Sequence, residues 1–289
     1  MVDMTKKIFQ RINEALLKKP TVADSACGPA KAKSFARNKT QLWVLLSDIH
    51  YPDHHSSSVS AVFDFLRRNR ENISGVVLMG DVLDCQSISR HTEMLPGLRE
   101  KGGFQKDIDG FERDILDPID ELLPKAQKAF IEGNHCNWLA QFLDKQPELV
   151  GALSWPKLLH LKERGYSFIP QGEAFHVGRL VVIHGDQVGS SPNAAKKAVD
   201  SYCSSVVMGH CHAFGAATKT SEVKKRDKWI GVVLPCLTTL SPKYGKGRPN
   251  AHVNGFGIVE RFEGGKLFNL YVPIISEGKF CFAGQVYGR

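Results

Sequence analysis

The sequence predicts an α/β layered domain built on a mixed sheet. Three observations lead there. Segments of strand and helix character alternate through the first half of the chain, and mostly strands follow in the second half. Short polar segments, most of them carrying glycine, sit just past the ends of successive apolar runs, where α/β folds assemble their sites.

The elements follow in order. Residues 6–19 place Ile8, Phe9, Ile12, Leu16 and Leu17 at helical spacing among lysines and arginines, so a short basic amphipathic helix is expected. Pro20 to Thr40 is rich in Ala, Ser, Lys and Gly and reads as a linker. A basic N-terminal region is therefore expected over 1–40 and the folded domain over 41–289. Leu42 to Ser47 is a short apolar run and reads as a strand. Ser60 to Asn69 reads as a helix with Val62, Phe63, Phe65 and Leu66 on its apolar face. Gly75 to Met79 is a buried-type strand, Phe104 to Leu123 a helix through Ile108, Phe111, Ile115, Ile119 and Leu122, and Ala126 to Ile131 a strand. A mixed, partly helical stretch covers Trp138 to Leu161. Strands are then expected at Leu180–Ile183, Val206–Met208, Ile230–Leu234, Gly257–Phe262 and Leu267–Tyr271.

Composition narrows the function class. Hydrophobic residues are 42% and charged residues 24%, ordinary values for a globular protein with a substantial core. No apolar run approaches the roughly 18 residues that span a bilayer. Met1 to Lys19 is charged throughout and lacks the apolar core and cleavage site of a signal peptide, so a cytoplasmic protein with no membrane partner is expected. The 7 cysteines show no CxxC pair, and reduced, mostly buried thiols are expected. The net charge of +8 is concentrated in 1–40 and 219–248. Such segments serve either as solvated surface or as a nucleic-acid footprint.

Five segments carry chemistry, each after an expected strand: Ser47-Asp48-Ile49-His50, Gly80-Asp81-Val82-Leu83-Asp84, Gly133-Asn134-His135, Ile183-His184-Gly185 and Gly209-His210-Cys211-His212. Imidazole suits Zn, Fe, Ni and Cu, while carboxylate and carbonyl oxygens suit harder ions such as Mn. A cluster of Asp, His and Asn thus suits first-row divalent or trivalent ions. Asp-x-His and His-x-His each place two side chains on one side of an extended backbone, because side-chain direction alternates along a strand. Each fragment alone is commonplace, whereas all five in this order are not.

In this order and wording the segments closely resemble the calcineurin-like metallophosphoesterase superfamily over about residues 42–215. That superfamily includes Ser/Thr protein phosphatases, purple acid phosphatases, cyclic-nucleotide phosphodiesterases and a group of nucleases. The loop ending in Asn254-Gly255-Phe256-Gly257 is also similar to compact phosphoesterases of tailed phages and bacteria. The resemblance implies a four-layer αββα sandwich with two mixed β-sheets and a dinuclear site at the strand-end loops. Carried over by motif, Asp48, His50 and His212 hold one metal, Asn134, His184 and His210 the other, and Asp81 bridges both. His135 sits beside the scissile phosphate as the catalytic residue, with Asn134 also against substrate, and Asp84 orients the ligands from behind.

The implied activity is hydrolysis of phosphomonoesters or phosphodiesters through a bridging hydroxide. Two ions drawn from Mn, Fe, Zn or Ni would supply it, with manganese expected to serve in vitro. A nuclease using the same site is the alternative, with the basic segments and Lys224-Lys225-Arg226 contacting phosphates. A non-catalytic binding protein of the same fold is a third reading, against which the intact ligand set argues. Lys243 to Arg248 are either phosphate contacts or a free loop. One departure from the family pattern is Cys136, where an acidic residue usually follows the Asn-His pair; it is a lost orienting carboxylate, a soft extra contact or a packing residue. His54 and His55 either line the cleft or are solvated.

Overall fold

The structure, a computed structural model, describes residues 41–89, 103–221, 228–241 and 249–288. The expected helix over 6–19, the linker, and the basic runs Lys224–Arg226 and Lys243–Arg248 lie outside the described residues. No helix among the described residues is long and apolar enough to cross a membrane.

The strands are β1 (Gln41–Leu46), β2 (Ile73–Leu78), β3 (Gln127–Ile131), β4 (Tyr166–Ile169), β5 (Phe175–Val177), β6 (Leu180–Ile183), β7 (Ser205–Met208), β8 (Gly215–Thr220), β9 (Lys228–Val233), β10 (Gly257–Phe262), β11 (Leu267–Tyr271), β12 (Phe280–Phe282) and β13 (Gln285–Tyr287). The helices are α1 (Ser56–Asn69), α2 (Gly103–Phe111), α3 (Asp117–Leu122), α4 (Trp138–Leu143), α5 (Trp155–Leu158) and α6 (Ala194–Tyr202). One sheet has the order β11-β10-β1-β2-β3-β4 and the other β5-β6-β7-β9-β8. In the first, β1 to β4 run parallel and β10 and β11 are antiparallel additions. In the second, β6, β7 and β9 run parallel and are flanked by antiparallel β5 and β8. The sheets are therefore both mixed, as the sequence implied.

Burial on both faces explains why the central strands read as continuous apolar runs rather than alternating ones. Trp43, Leu45, Val77, Met79, Ala129 and Ile131 from the first sheet pack with Val177, Leu180, Val182, Val207, Val232 and Leu234 from the second. The opposite face of the first sheet, through Leu42, Val44, Leu46, Val76 and Leu78, packs with Val62, Phe65 and Leu66 of α1, Ile108 and Phe111 of α2 and Ile119 of α3. The outer face of the second sheet packs Val181, Ile183, Val206 and Met208 on Ala194, Ala195, Ala198 and Val199 of α6. Four layers, αββα, result.

The inter-sheet layer has little slack around Trp43. That indole lies across Gly75 of the neighbouring strand, and a Cβ there would collide with its six-membered ring. Gly75→Ala is expected to destabilise the domain by about 1–3 kcal/mol, the usual cost of overpacking a core. A lower urea midpoint at constant m-value would show it, and an unchanged midpoint would refute the packing argument.

Two differences from the expected elements have local causes. The expected helix over Phe104–Leu123 is continuous, but Glu112–Leu116 between α2 and α3 is wound as a π-helix. Pro118, two residues past this segment, has no amide N–H to donate back into the preceding turn. Strands β4, β5, β8, β12 and β13 and helix α6 were not expected. These strands are short or, like β8, alternate half-buried with exposed small and polar residues, so their apolar signal is weak.

Candidate metal centre

All five segments leave the C-terminal ends of parallel strands: β1, β2 and β3 in one sheet, β6 and β7 in the other. The side chains do not converge through strand pleating, as the sequence suggested. Asp48 (φ 54°), His50 (φ 51°), Asp81 (φ 46°), His210 (φ 67°) and His212 (φ 56°) all adopt left-handed backbone conformations beyond the strands. For non-glycine residues this costs on the order of 1–3 kcal/mol each, and such strain persists where the surroundings impose it, commonly at functional sites. Here the turns throw Asp48 and His50 to the same centre while Ile49 between them is buried.

Three groups of donor atoms gather: Asp48 with His50 and His212, Asp81 with His184 and His210, and His50 with Asp84 and His135. In the first group the Nε2 atoms of His50 and His212 face each other at 3.1 Å, and Asp48 Oδ1 lies 3.3 Å from His212 Nε2. Asp48 Oδ1 is buried with no hydrogen-bond partner. Its other oxygen, Oδ2, accepts from the Ser47 hydroxyl and from the His210 amide at 2.9 Å. In the second group His184 Nε2 lies 3.0 Å from Asn134 Oδ1 and 3.3 Å from Asp81 Oδ2. Asp81 Oδ2 is also 3.9 Å from His50 Nε2, so this oxygen faces both groups, while Oδ1 accepts from the His135 amide at 2.8 Å.

Tautomers are set from behind. His50 Nδ1 is 3.0 Å from Asp84 Oδ1, and His184 Nδ1 is 2.9 Å from the Met79 carbonyl. Each acceptor keeps the proton on Nδ1 and leaves the Nε2 lone pair for the centre, the usual arrangement behind a metal-bound imidazole. Asp84 Oδ1 also lies 3.2 Å from His135 Nδ1, so one carboxylate orients two rings.

The glycines of the motifs make room for these side chains. A Cβ on Gly80 would strike the His184 ring, one on Gly133 the Asp81 carboxylate, and one on Gly209 the Ser47 hydroxyl and Asp48 Oδ2. Gly209→Ala is therefore expected to push Asp48 out of place and lower metal content, with far-UV circular dichroism unchanged. Wild-type metal content in that variant would contradict the packing.

Asp48, Asp81 and Asp84 are buried, and their ion-pair partners among the described residues are all histidines. Burial alone would raise the pKa of Asp81, but the hydrogen-bonded His184 outweighs it and holds the carboxyl well below its usual range. For His184 burial disfavours the charge, yet the Asp81 carboxylate raises its pKa from 6.5 to about 10. The folded value lies above the unfolded one. The stabilising His184–Asp81 pairing is thus fully present below about pH 6.5 and lost as pH rises through about 10. A metal taking Nε2 must displace that proton. Metal binding at pH 7 is expected to release about one proton and to tighten as pH rises. Titration calorimetry in two buffers of different ionisation enthalpy measures this, and zero proton release would refute it.

Buried anionic oxygens without lysine or arginine partners, together with imidazole lone pairs aimed inward, form a donor set that fits two adjacent metal ions. Residues 44–227 match the family model described as calcineurin-like phosphoesterase. The chain belongs to that family. No curated protein matches it. Solved structures similar to it include a Vps29 double mutant from Entamoeba histolytica (14% identity, 86% of this chain and 99% of that one, TM-score 0.43). Vps29 from Chaetomium thermophilum is similar at 12% identity, covering 86% and 95%, with a TM-score of 0.44. A dimetal phosphatase from Danio rerio is similar at 10% identity, covering 78% and 94%, with a TM-score of 0.42.

The remaining residues of this calcineurin-like phosphoesterase fall into place around the centre. Cys136 is fully buried in the core beneath α4, burial pushes its thiol up to about 12, and its carbonyl accepts from the Trp155 indole at 2.8 Å. It is a packing residue and joins none of the donor groups. His54 and His55 are half-buried and join none of the donor groups. His54 stacks on Tyr51 (5.1 Å, 8°) at the rim of a separate groove of about 600 Å³, and His55 Nδ1 meets Ser58 Oγ at 2.8 Å at the start of α1. Cys85, Cys136, Cys211 and Cys236 are buried free thiols, whereas Cys203 and Cys281 are exposed. Lys219, at the start of the second basic segment, is paired with Asp200 at 2.8 Å. Sequence reasoning missed Ser47, the Met79 carbonyl and His252. Ser47 had a signal, being the residue before the first candidate ligand; Met79 directly precedes Gly80-Asp81, but its contact with His184 spans a long stretch of chain, and His252 meets His212 from a later segment.

Proposed function

We propose that the protein hydrolyses phosphate esters, mono- or diesters, at a dinuclear centre. Asp48, His50 and His212 hold one ion, Asn134, His184 and His210 the other, and Asp81 both. The observation that carries this reading is Asp81 Oδ2, which lies 3.3 Å from His184 Nε2 in its own donor group and 3.9 Å from His50 Nε2 in the other, and so faces both. The chemistry two such ions supply is Lewis-acid polarisation of phosphoryl oxygens and a water of lowered pKa. Oxygen and imidazole donors without thiolate suit Mn, Fe, Zn or Ni, and manganese is the proposed metal in vitro.

The chain's own groups do the rest. His135 is fixed through Nδ1 by the Asp84 carbonyl at 3.0 Å and carboxylate at 3.2 Å, with its ring against Trp138. Its Nε2 has no partner among the described residues and is the atom that meets a substrate oxygen. Burial opposes charge on this ring, but the hydrogen bond to Asp84 and the nearby Asp81 carboxylate outweigh it and raise its pKa above 6.5. An imidazolium beside the leaving-group oxygen is a proton donor near neutral pH. Asn134 presents its amide at the same place and helps position the phosphate.

The test is a panel on manganese-loaded protein: p-nitrophenyl phosphate, bis-p-nitrophenyl phosphate, cyclic nucleotides, and single- and double-stranded DNA. Metal-dependent turnover of the small esters is expected. Preference for DNA, with binding that weakens steeply as salt rises, would replace this reading with a nuclease. Retained metal without turnover of any ester would replace it with a binding protein.

A further inference from the structure

His252 lies outside the assigned ligands, on the segment that leads into β10. Its ring packs edge-on against His212, with centroids 4.8 Å apart and planes at 64°. His135 meets His50 in the same way, at 4.6 Å and 89°. The two imidazoles of the Asp48 group are thus each flanked by one further histidine.

The position of His252 is tied to the centre through backbone. The Val253 amide donates to the His212 carbonyl at 2.8 Å, and the Val253 carbonyl accepts from the Cys236 amide at 3.0 Å. On the other side the His252 amide donates to Asn250 Oδ1 at 3.0 Å. Asn254 pins the segment from below, donating to the Thr238 carbonyl at 2.8 Å and accepting from Ser58 Oγ at 3.2 Å. A ring held this way needs little reorganisation when a ligand arrives.

The ring's own chemistry is one-sided. Nδ1 is buried with no hydrogen-bond partner. A buried N–H without an acceptor is among the rarer and costlier orphans, whereas a buried lone pair is better tolerated. The neutral ring therefore carries its proton on Nε2. The side chain is only half-buried, and Nε2 has no partner among the described residues. A preorganised N–H donor stands beside a proposed metal ligand with nothing to donate to.

We propose that His252 is a catalytic residue of this site, its Nε2–H donating to a non-bridging oxygen of the substrate phosphate on the His212 flank. This rests on the phosphoesterase reading above. The test compares wild type with His252→Phe, which keeps a flat ring against His212 and removes both nitrogens, and with His252→Gln, which restores an N–H donor. Binding of inorganic phosphate to the manganese-loaded proteins is measured by titration calorimetry, and metal content by elemental analysis. His252→Phe should keep its metals and bind phosphate roughly ten-fold or more weakly, the loss of a hydrogen bond to a charged group. His252→Gln should recover most of the affinity.

Unchanged phosphate affinity in His252→Phe overturns the proposal, as does metal loss, which would make His252 a support for His212. Wild-type protein that holds metal but binds no phosphate overturns it too. Phosphate affinity that depends on His252 in a protein that turns over no ester would sink the proposed hydrolysis and the catalytic role with it, and leave His252 as a phosphate-binding donor.

Discussion

Asp81→Asn is expected to lower turnover by about 10³-fold and to leave the protein short of metal after purification. The side chain keeps its shape and loses its charge. Both oxygens of Asp81 are committed: Oδ1 accepts from the His135 amide at 2.8 Å, and Oδ2 faces His184 and His50. An asparagine amide must place its NH₂ on one of these two sides. In one orientation it meets the His135 N–H as donor against donor. In the other it presents hydrogens to the two imidazoles and removes the shared anionic donor from the centre. The same change withdraws the charge that raises the His184 pKa, so the proton released on metal binding should largely disappear. Elemental analysis, turnover and the two-buffer calorimetry read these effects in one preparation. Wild-type metal content with wild-type turnover would remove Asp81 from the centre of the mechanism.

His135→Ala is expected to spare the metals and lower turnover by about 10²–10⁴-fold on substrates with alkyl or nucleoside leaving groups. The reason is positional. His135 contributes its amide to Asp81 Oδ1, which alanine retains, and its ring to Asp84, which does not belong to either of the two proposed ligand sets. The penalty should shrink on p-nitrophenyl esters, whose leaving group needs little protonation. With an acid of raised pKa, activity on alkyl esters should fall as pH climbs past the His135 pKa, and that limb should vanish in the variant. Equal penalties on both leaving groups would confine His135 to positioning charge.

Much of the fold was legible because its signals are local. Strands β1, β2, β6 and β7 are short runs buried on both faces, and apolar content alone marks such runs without reference to any partner. The α1 and α2–α3 helices announced themselves by spacing. The π-helical turn did not, because it reflects a ladder rearranged before Pro118 rather than a change of apolar period. Strand β8 was illegible because its half-buried and exposed positions are filled by Gly, Ala, Thr and Lys, with no large apolar residue to set a pattern.

The sequence by itself determined which residue types stand at the strand ends and in what order. That was enough for the family, the layered α/β architecture and a list of candidate ligands from Asp48 to His212. These follow from chain-local facts: a polar motif placed immediately after a buried strand must emerge at that strand's end. Only the tertiary structure decided how those residues meet. The left-handed turns at Asp48, His50 and His212, rather than strand pleating, aim the side chains, and nothing in an Asp-x-His or His-x-His spacing specifies them. The division of His210 and His212 between two donor groups, the protons held on Nδ1 of His50 and His184 by Asp84 and the Met79 carbonyl, and the arrival of His252 against His212 are all contacts across long stretches of chain. Such contacts depend on how two sheets pack face to face. Packing is a property of the whole chain, and no window of sequence contains it.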